Sequence, residues 1–414
     1  MQFLYNLFVF FTELILRFIA VFSSKMNLFI KGRTDVFEVL NKKIEKSDSV
    51  FWIHCASLGE FEQGRPLIED LKRKYTNHKI VLTFFSPSGY EVQKNYEFAD
   101  VVIYLPLDSA SNARKFLKIV HPSVAVFVKY EFWPNLLKEL EKQKIPTLLV
   151  SGIFRQKQVF FKNYGFWMRS KLTAFSHFFV QDKNSFELLE GIGITNVTIS
   201  GDTRFDRVHD VLKRDNKLDF IDEFSGDCYV LVAGSTWKED EEKLVNYINS
   251  KSDSNEKFII APHNIKTEAI QELKTSLDVK TVLYSEKEGK DLQSFQVFII
   301  DTVGILTKIY SRANIAYVGG GYTKSGIHNV LEPATFGVPV VIGPNFKKFK
   351  EAQDLVLLNG CTVTHDNTSV EAALTKFKVD VKTREESGRA AQEYIKASLG
   401  ATEKISTYID SLLK

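Results

Sequence analysis

Cysteine is scarce in this sequence. Its 414 residues hold three, Cys55, Cys228 and Cys361, far apart and odd in number. No pair has zinc-site spacing, so free thiols in a reducing compartment are the simplest reading. Net charge is equally slight. The 54 Lys and Arg residues exceed the 51 Asp and Glu by only 3, which argues against a protein that lives on nucleic acid through bulk electrostatics. The 22 Gly and 10 Pro show no repeating period, and this excludes collagen-like and low-complexity chains. No Asp-x-Asp occurs, so a metal-dependent sugar-nucleotide site has no obvious ligands, and no His/Cys/Asp cluster suggests another metal. A hydrophobic fraction of 44% beside 25% charged residues is globular. The length suits two domains better than one core.

Phenylalanine, with 34 copies, is abundant, and part of the excess lies between Phe3 and Phe22. About 20 apolar residues can span a bilayer, but Asn6, Glu13 and Arg17 interrupt this run. On a helix the three fall within roughly 40° of one another, and Glu13 and Arg17 form an i, i+4 pair. So narrow a polar stripe suits a helix lying in the membrane interface. Spanning would cost roughly 2.5–3.5 kcal/mol per mid-bilayer charge, and a buried core helix is the bland alternative. A secretory signal is disfavoured, because a basic n-region and a small-residue cleavage site are missing. Lys25, Lys31 and Arg33 follow directly and, by the positive-inside rule, keep the remainder cytoplasmic.

After residue 48 short apolar runs alternate with amphipathic stretches, the pattern of βαβ units and parallel sheets. Strands are expected at 50–54, 79–84, 101–104, 124–128, 147–150, 177–180 and 197–200, with helices such as 61–75, 110–120, 132–143 and 184–191 between them. A polar stretch from 201 to 227 interrupts the rhythm. Strands resume at 228–233, 257–261, 282–284, 297–300, 315–318 and 339–342, with helices at 238–249, 266–276, 304–311 and 351–359. A helical tail covers 383–413. The fold class is therefore α/β, with two doubly wound domains facing a shared cleft and ligands at the carboxyl ends of the strands.

Three kinds of loop carry candidate chemistry. Cys55-Ala56-Ser57-Leu58-Gly59-Glu60 joins the first strand to a helix. Ser57-x-x-Glu60 matches a capping box, with Glu60 bonding back to the Ser57 amide, and local sequence favours that reading over catalysis. The densest signal is Gly319-Gly320-Gly321-Tyr322-Thr323-Lys324-Ser325-Gly326-Ile327-His328-Asn329-Val330-Leu331-Glu332-Pro333. Its glycines let backbone approach a ligand, and the short helix that follows favours an anion at its start. Glu332 is suited to a ribose diol or, more simply, to the helix dipole. The run is not a nucleoside-triphosphatase P-loop. Two further loops, Ala261-Pro262-His263-Asn264 and Asp301-Thr302-Val303-Gly304-Ile305-Leu306, end on the same sheet edge, and together the three make a nucleotide pocket.

Four motifs then occur in order: Trp52-Ile53-His54-Cys55-Ala56-Ser57-Leu58-Gly59-Glu60, Lys129-Tyr130-Glu131-Phe132-Trp133-Pro134-Asn135-Leu136, Gly201-Asp202-Thr203-Arg204-Phe205-Asp206, and Gly326-Ile327-His328-Asn329-Val330-Leu331-Glu332-Pro333. Together they closely resemble the 3-deoxy-D-manno-octulosonic acid (Kdo) transferases of lipopolysaccharide synthesis. The resemblance implies a GT-B fold with two Rossmann-like domains and an N-terminal membrane-associated helix. Residues 1–30 would form that helix, 31–205 the acceptor-binding domain, 206–227 the connection and 228–414 the nucleotide-sugar-binding domain, with the last helix a candidate to pack back on the first. It implies CMP-Kdo as donor, the tetra-acylated lipid A precursor as acceptor, no cofactor, and a place on the cytoplasmic side of a Gram-negative inner membrane. By resemblance Glu60 is the catalytic base, while Glu131 and Arg204 stabilise the transition state. CMP contacts carry over to Pro262 and His263, to Val303, Gly304 and Ile305, and to Asn329, Val330, Leu331 and Glu332.

Three departures bear on donor affinity. His263 stands where the family usually has Arg, which removes a permanent cation. Arg204 replaces the usual Lys, keeping charge and changing geometry. Gly304-Ile305-Leu306 replaces Gly-Glu-Leu, leaving only a backbone contact at Ile305. The competing readings are a GT-B transferase or epimerase using a UDP-sugar, and a nucleotide-sugar-binding protein without catalysis.

Overall fold

Strand β1 (Ser49–Cys55) sends Trp52 to one face of its sheet and Phe51 and Ile53 to the other, the period-two alternation of an extended chain. All of β1 after Ser49 is buried, so both faces must be covered, which is the condition of a parallel sheet. In the computed structural model, which describes residues 1–413, β1 is joined by β2 (His78–Phe84), β3 (Val101–Tyr104), β4 (Val124–Val128), β5 (Thr147–Gly152), β6 (His177–Val180) and β7 (Val197–Ile199). Their order is β3-β2-β1-β4-β5-β6-β7, every pairing parallel.

The second half repeats the logic with β8 (Tyr229–Thr236), β9 (Glu256–Pro262), β10 (Thr281–Leu283), β11 (Val297–Ile299), β12 (Ile315–Val318), β13 (Val340–Ile342) and β14 (Cys361–Val363). They lie parallel in the order β10-β11-β9-β8-β12-β13-β14. Leu231 and Ala233 face one core, Val230 and Val232 the other. In the first sheet the chain builds outward from β1 through β2 to β3 and then returns to β4; in the second it passes from β8 and β9 to the edge strand β10, fills the gap with β11 and then returns to β12. The reversal lies between β1 and β4 in the first sheet and between β8 and β12 in the second. Such switch points are where doubly wound sheets hold ligands.

The expected strands are all present, with ends moved by up to three residues, and β14 is added. The helix expected over 61–75 begins earlier and runs Leu58–Lys74, which places Glu60 in its first turn. The stretch 304–311 keeps only a short helix, Leu306–Ile309, followed by a 3-10 turn. The tail is two helices, Val381–Ala397 and Ala401–Leu412, broken at Gly400 with φ of 99°. That left-handed backbone suits glycine. Asp206 receives the amides of Gly400 and Thr402, each at 2.7 Å, and so caps the last helix from a distant part of the chain.

Two compact units emerge, residues 1–207 with the segment from Leu399 onward, and residues 208–398. The crossing falls inside the helix Thr203–Asp210, and the polar stretch after it contains the helix Asp219–Ser225, whose Ile221 and Phe224 are buried in the second unit. Ile405 and Ile409 of the last helix pack against the first sheet.

The helix Gln2–Ile19 is long and apolar enough to cross a membrane and has no buried residue. Arg33 is largely enclosed, donating to the carbonyls of Phe29, Leu105 and Phe85 at 2.7, 2.9 and 2.7 Å and lying 3.7 Å above the Phe29 ring. Burial pulls its pKa down to about 9. Lys25 and Lys31 remain exposed.

Candidate active site

The loops after β1 and β4 flank the first switch point, and each carries one carboxylate of interest. Ser57 is the N-cap of the helix Leu58–Lys74, yet its side chain caps no backbone amide. Its hydroxyl donates to the Glu60 carboxylate instead. The capping box suggested by the sequence is therefore not formed. Glu60 is half-buried, and Cys55 lies beneath it at the end of β1. Burial first, then the charges of Glu60 and Glu131, push the Cys55 thiol well up. Both carboxylates are thus close to one buried sulfur.

Glu131 is held by a chain of hydrogen bonds that begins in the core. Trp52 Nε1 donates to Thr83 Oγ1 at 2.9 Å, and Thr83 Oγ1 lies 2.9 Å from His54 Nδ1. His54 Nε2 is 3.2 Å from Glu131 Oε2, and Trp133 Nε1 donates to that same oxygen at 2.8 Å. One assignment satisfies every group: the Thr83 hydroxyl donates to Nδ1, the imidazole carries its proton on Nε2, and that proton goes to Glu131. His54 is completely buried, and Glu131 keeps 15% of its side chain exposed. A carboxylate with two donors on one oxygen leaves its other oxygen for a ligand. Lys129, two residues earlier, has φ of 68°, a conformation costing on the order of 1–3 kcal/mol of the kind that gathers at functional sites.

Arg204 is oriented by Asp202. Its Nε and a terminal nitrogen lie 2.9 and 2.8 Å from Asp202 Oδ2, and Gln63 Nε2 donates to the same oxygen at 2.9 Å. Thr203 Oγ1 donates to the Gln63 carbonyl at 2.5 Å. The start of the helix that carries Arg204 is therefore tied to the helix of Glu60, one turn past the carboxylate.

In the second unit, the loops after β8, β9 and β12 come from consecutive strands. They bring Trp237, His263 and His328 into one stack, with ring centroids 4.7 Å apart for Trp237–His263 and 4.4 Å for His263–His328. Trp237 Nε1 also donates to His328 Nε2 at 2.9 Å. Burial, and then the neighbouring His263, pull His328 down to about 4. Beneath the stack the buried Asp240 accepts from the amides of Trp237 and Gly320 at 3.0 and 2.8 Å and from the Tyr317 hydroxyl at 2.9 Å. It fixes the glycine loop from behind. A Cβ on Gly321 would sit 2.5 Å from the Gly343 nitrogen, so the backbones meet there only as glycines.

Glu332 ties two ligand loops together. Its carboxylate accepts from Thr307 Oγ1 at 2.7 Å and from Asn329 Nδ2 at 3.0 Å, a firmer role than complementing a helix dipole. Asn329 Oδ1 in turn takes the Leu331 amide at 3.1 Å. Val330 and Leu331 are buried, while Val303 and Gly304 are exposed and Gly304 has φ of 92°. Pro262 ends β9 beside the exposed His263, and Ile305 begins the short helix after the exposed pair.

Residues 31–207 match the family model described as 3-deoxy-D-manno-octulosonic-acid transferase (kdotransferase). A 3-deoxy-D-manno-octulosonic acid transferase of Aquifex aeolicus is 28% identical over 85% of this chain and 96% of its own length. One from Haemophilus influenzae is 26% identical over 86% and 85%. Over most of its length the chain is similar to Kdo transferases, and residues 31–207 carry the family's N-terminal domain. A solved UDP-GlcNAc 2-epimerase of Neisseria meningitidis shares the fold, with a TM-score of 0.60 at 16% identity over 88% of this chain and 100% of that one. The GT-B type of the fold is thus shown.

Glu60 and Glu131 lie on the segments that follow β1 and β4, at one switch point, and Arg204 is tied to the helix of Glu60. Pro262, at the end of β9, and His263, Val303, Gly304, Ile305, Asn329, Val330, Leu331 and Glu332, on the loops and short helices that follow, all lie at the carboxyl edge of the second sheet. Sequence reasoning gave no role to His54, Trp133, Asp202, Trp237, Asp240 or His328. His54 did leave a signal, as a lone imidazole inside an otherwise apolar buried strand.

Proposed function

We propose that the protein is an inverting glycosyltransferase that moves Kdo from CMP-Kdo to the lipid A precursor, lipid IVA. The observation that carries this reading is the pair Glu60 and Glu131 on the segments that follow β1 and β4 at the first switch point, in a chain similar to Kdo transferases over most of its length. Glu60 takes the proton of the attacking primary hydroxyl, and general-base help of this kind contributes about 10²–10⁴-fold. Glu131, fixed by His54 and Trp133, stabilises charge that develops at the sugar. Arg204 meets the donor carboxylate or phosphate. Backbone and side-chain groups of the loops at Pro262, Gly304 and Asn329 hold CMP, and Glu332 holds two of those loops in register.

A lipid acceptor gives the N-terminal helix its purpose. The helix lies along the first unit, so in this docked position it rests in the interface with Phe3, Phe10, Phe11, Phe18 and their neighbours toward lipid. The globular part then stays on the cytoplasmic side of the inner membrane.

Full-length protein incubated with CMP-Kdo and the tetra-acylated acceptor is expected to release CMP and to add the mass of one or more Kdo residues. CMP, and not UDP, is expected to raise the melting temperature. Protection by UDP alone, with no product, would overturn the assignment and favour a UDP-sugar enzyme.

A further inference from the structure

One face of the helix Gln2–Ile19 is engaged by the first unit. Gln2, Tyr5, Asn6, Val9, Thr12 and Leu16 are half-buried at helical spacing, and the intervening large apolar residues are exposed. The engagement is polar at one end. Gln2 Nε2 donates to Asn135 Oδ1 at 2.8 Å, Asn135 Nδ2 to Asn6 Oδ1 at 2.9 Å, and the Tyr5 hydroxyl to Asp108 Oδ2 at 2.8 Å. The buried Asp108 also receives the amides of Asn135 and Leu136, both at 2.9 Å. The N-terminal helix and the motif that carries Glu131 are thus one hydrogen-bonded piece.

Beyond these bonds the helix does not close onto the unit. A cavity of about 320 Å³ remains, walled by Val9, Thr12 and Leu16 on the helix side and by Phe85, Trp133 and Met168 on the other. Its size is at the small end of ligand pockets, roughly 300–1,000 Å³. Its polar lining is Thr12 with the Tyr5–Asp108 pair, and that pair is already bonded to itself. Phe8 also lines the cavity while two-thirds exposed, so the mouth opens on the same apolar face that meets lipid. The inner wall is the Trp133 indole, whose Nε1 holds Glu131.

We infer that this groove receives one acyl chain of the glycolipid acceptor, with the membrane helix as one wall of the binding site. The inference rests on the acceptor reading given above. An apolar slot that opens to the bilayer face suits a hydrocarbon chain and excludes a sugar or a phosphate, which would be desolvated there without partners. A chain seated against Trp133 belongs to the molecule whose hydroxyl reacts beside Glu131, which selects the acceptor over bulk phospholipid. Binding energy from the chain is then used to place the sugar, the usual benefit of remote contacts.

The test uses full-length protein in detergent micelles. Transfer is measured to the tetra-acylated acceptor and to its fully deacylated disaccharide, for the parent, for Thr12→Trp, which fills the groove, and for Phe11→Trp on the outer face. We expect Thr12→Trp to lower the ratio of the two kcat/KM values by at least about tenfold, the scale on which apolar pockets discriminate, and Phe11→Trp to leave it unchanged. A ratio unmoved by Thr12→Trp overturns the groove. In a second measurement, acceptor carrying a diazirine on an acyl chain is photolysed with the parent protein and the adducts are mapped by mass. Label on Val9, Thr12, Phe85, Trp133 or Met168 supports the groove. Label confined to the outer face, or lost to excess phosphatidylethanolamine, overturns it. A parent that labels in the groove but transfers to neither acceptor would instead overturn the functional reading.

Discussion

The Ser57 hydroxyl donates to the Glu60 carboxylate, in a helix start where serine ordinarily bonds a backbone amide. Two readings of the same four residues are separated by that bond. A capping box serves the helix, whereas a serine turned onto a carboxylate orients an acceptor that faces the strand-end loops. If Glu60 were a cap, glutamine would replace it nearly silently, since Gln also serves at that position. As general base, Glu60→Gln keeps shape and hydrogen bonding and loses the proton acceptor. We expect turnover to fall at least about 10²-fold, with melting temperature and CMP affinity close to the parent. Near-parental transfer would remove Glu60 from the mechanism and leave Glu131 as the candidate.

Trp133→Phe tests the holding of Glu131. The aromatic wall stays, while the 2.8 Å bond from Nε1 to Glu131 is lost. A hydrogen bond to a charged group is worth about 1.5–3 kcal/mol, so kcat is expected to fall on the order of 10–100-fold with little change in CMP affinity. A loss seen only as lower thermal stability would make Trp133 a packing residue.

Glu332→Ala separates the two loops that Glu332 joins through Thr307 and Asn329. Calorimetric CMP binding should weaken by about 1.5–3 kcal/mol. Glu332→Gln keeps one acceptor oxygen and should fall between Ala and parent. Unchanged CMP affinity in a folded Ala variant would show that the loops hold their places without it.

The strand pattern was legible because both sheets are buried on both faces, and buried parallel strands read as apolar runs. Cys361–Val363 was missed because Cys-Thr-Val holds a single aliphatic residue and is only partly buried, so it does not read as an apolar run. Glu60 and Glu131 were legible as motif residues, but their supports were not. His54 and Thr83 come from neighbouring strands, and Trp237, His263 and His328 from three separate loops, so their contact is a product of topology that no local spacing records. Asn6, Glu13 and Arg17 were read as one polar stripe suited to the membrane interface; Asn6 bonds Asn135 of the first unit, while Glu13 and Arg17 pair with each other. Polar residues on an apolar helix mark a contact face as readily as a wet one.

His328 supplies a pH signature. Its pKa is lowered from an ordinary 6.5 to about 4, by burial first and by His263 second. The folded chain therefore binds fewer protons at this residue than the unfolded chain between pH 6.5 and about 4. Stability from this group is complete above pH 6.5 and is lost as pH falls through that window. Protonation also removes the lone pair that accepts from Trp237 Nε1 at 2.9 Å. His328→Asn keeps an acceptor for the indole and removes the titration. The variant should resist acidification better than the parent: between pH 7 and pH 5 its melting temperature should fall less, by roughly 2–4 °C. This corresponds to about 1 kcal/mol once solvent screening of a partly exposed ring is allowed for. Parallel melting curves for the two proteins across that range would place the acid sensitivity elsewhere, and the stacked rings would then carry no proton-linked stability.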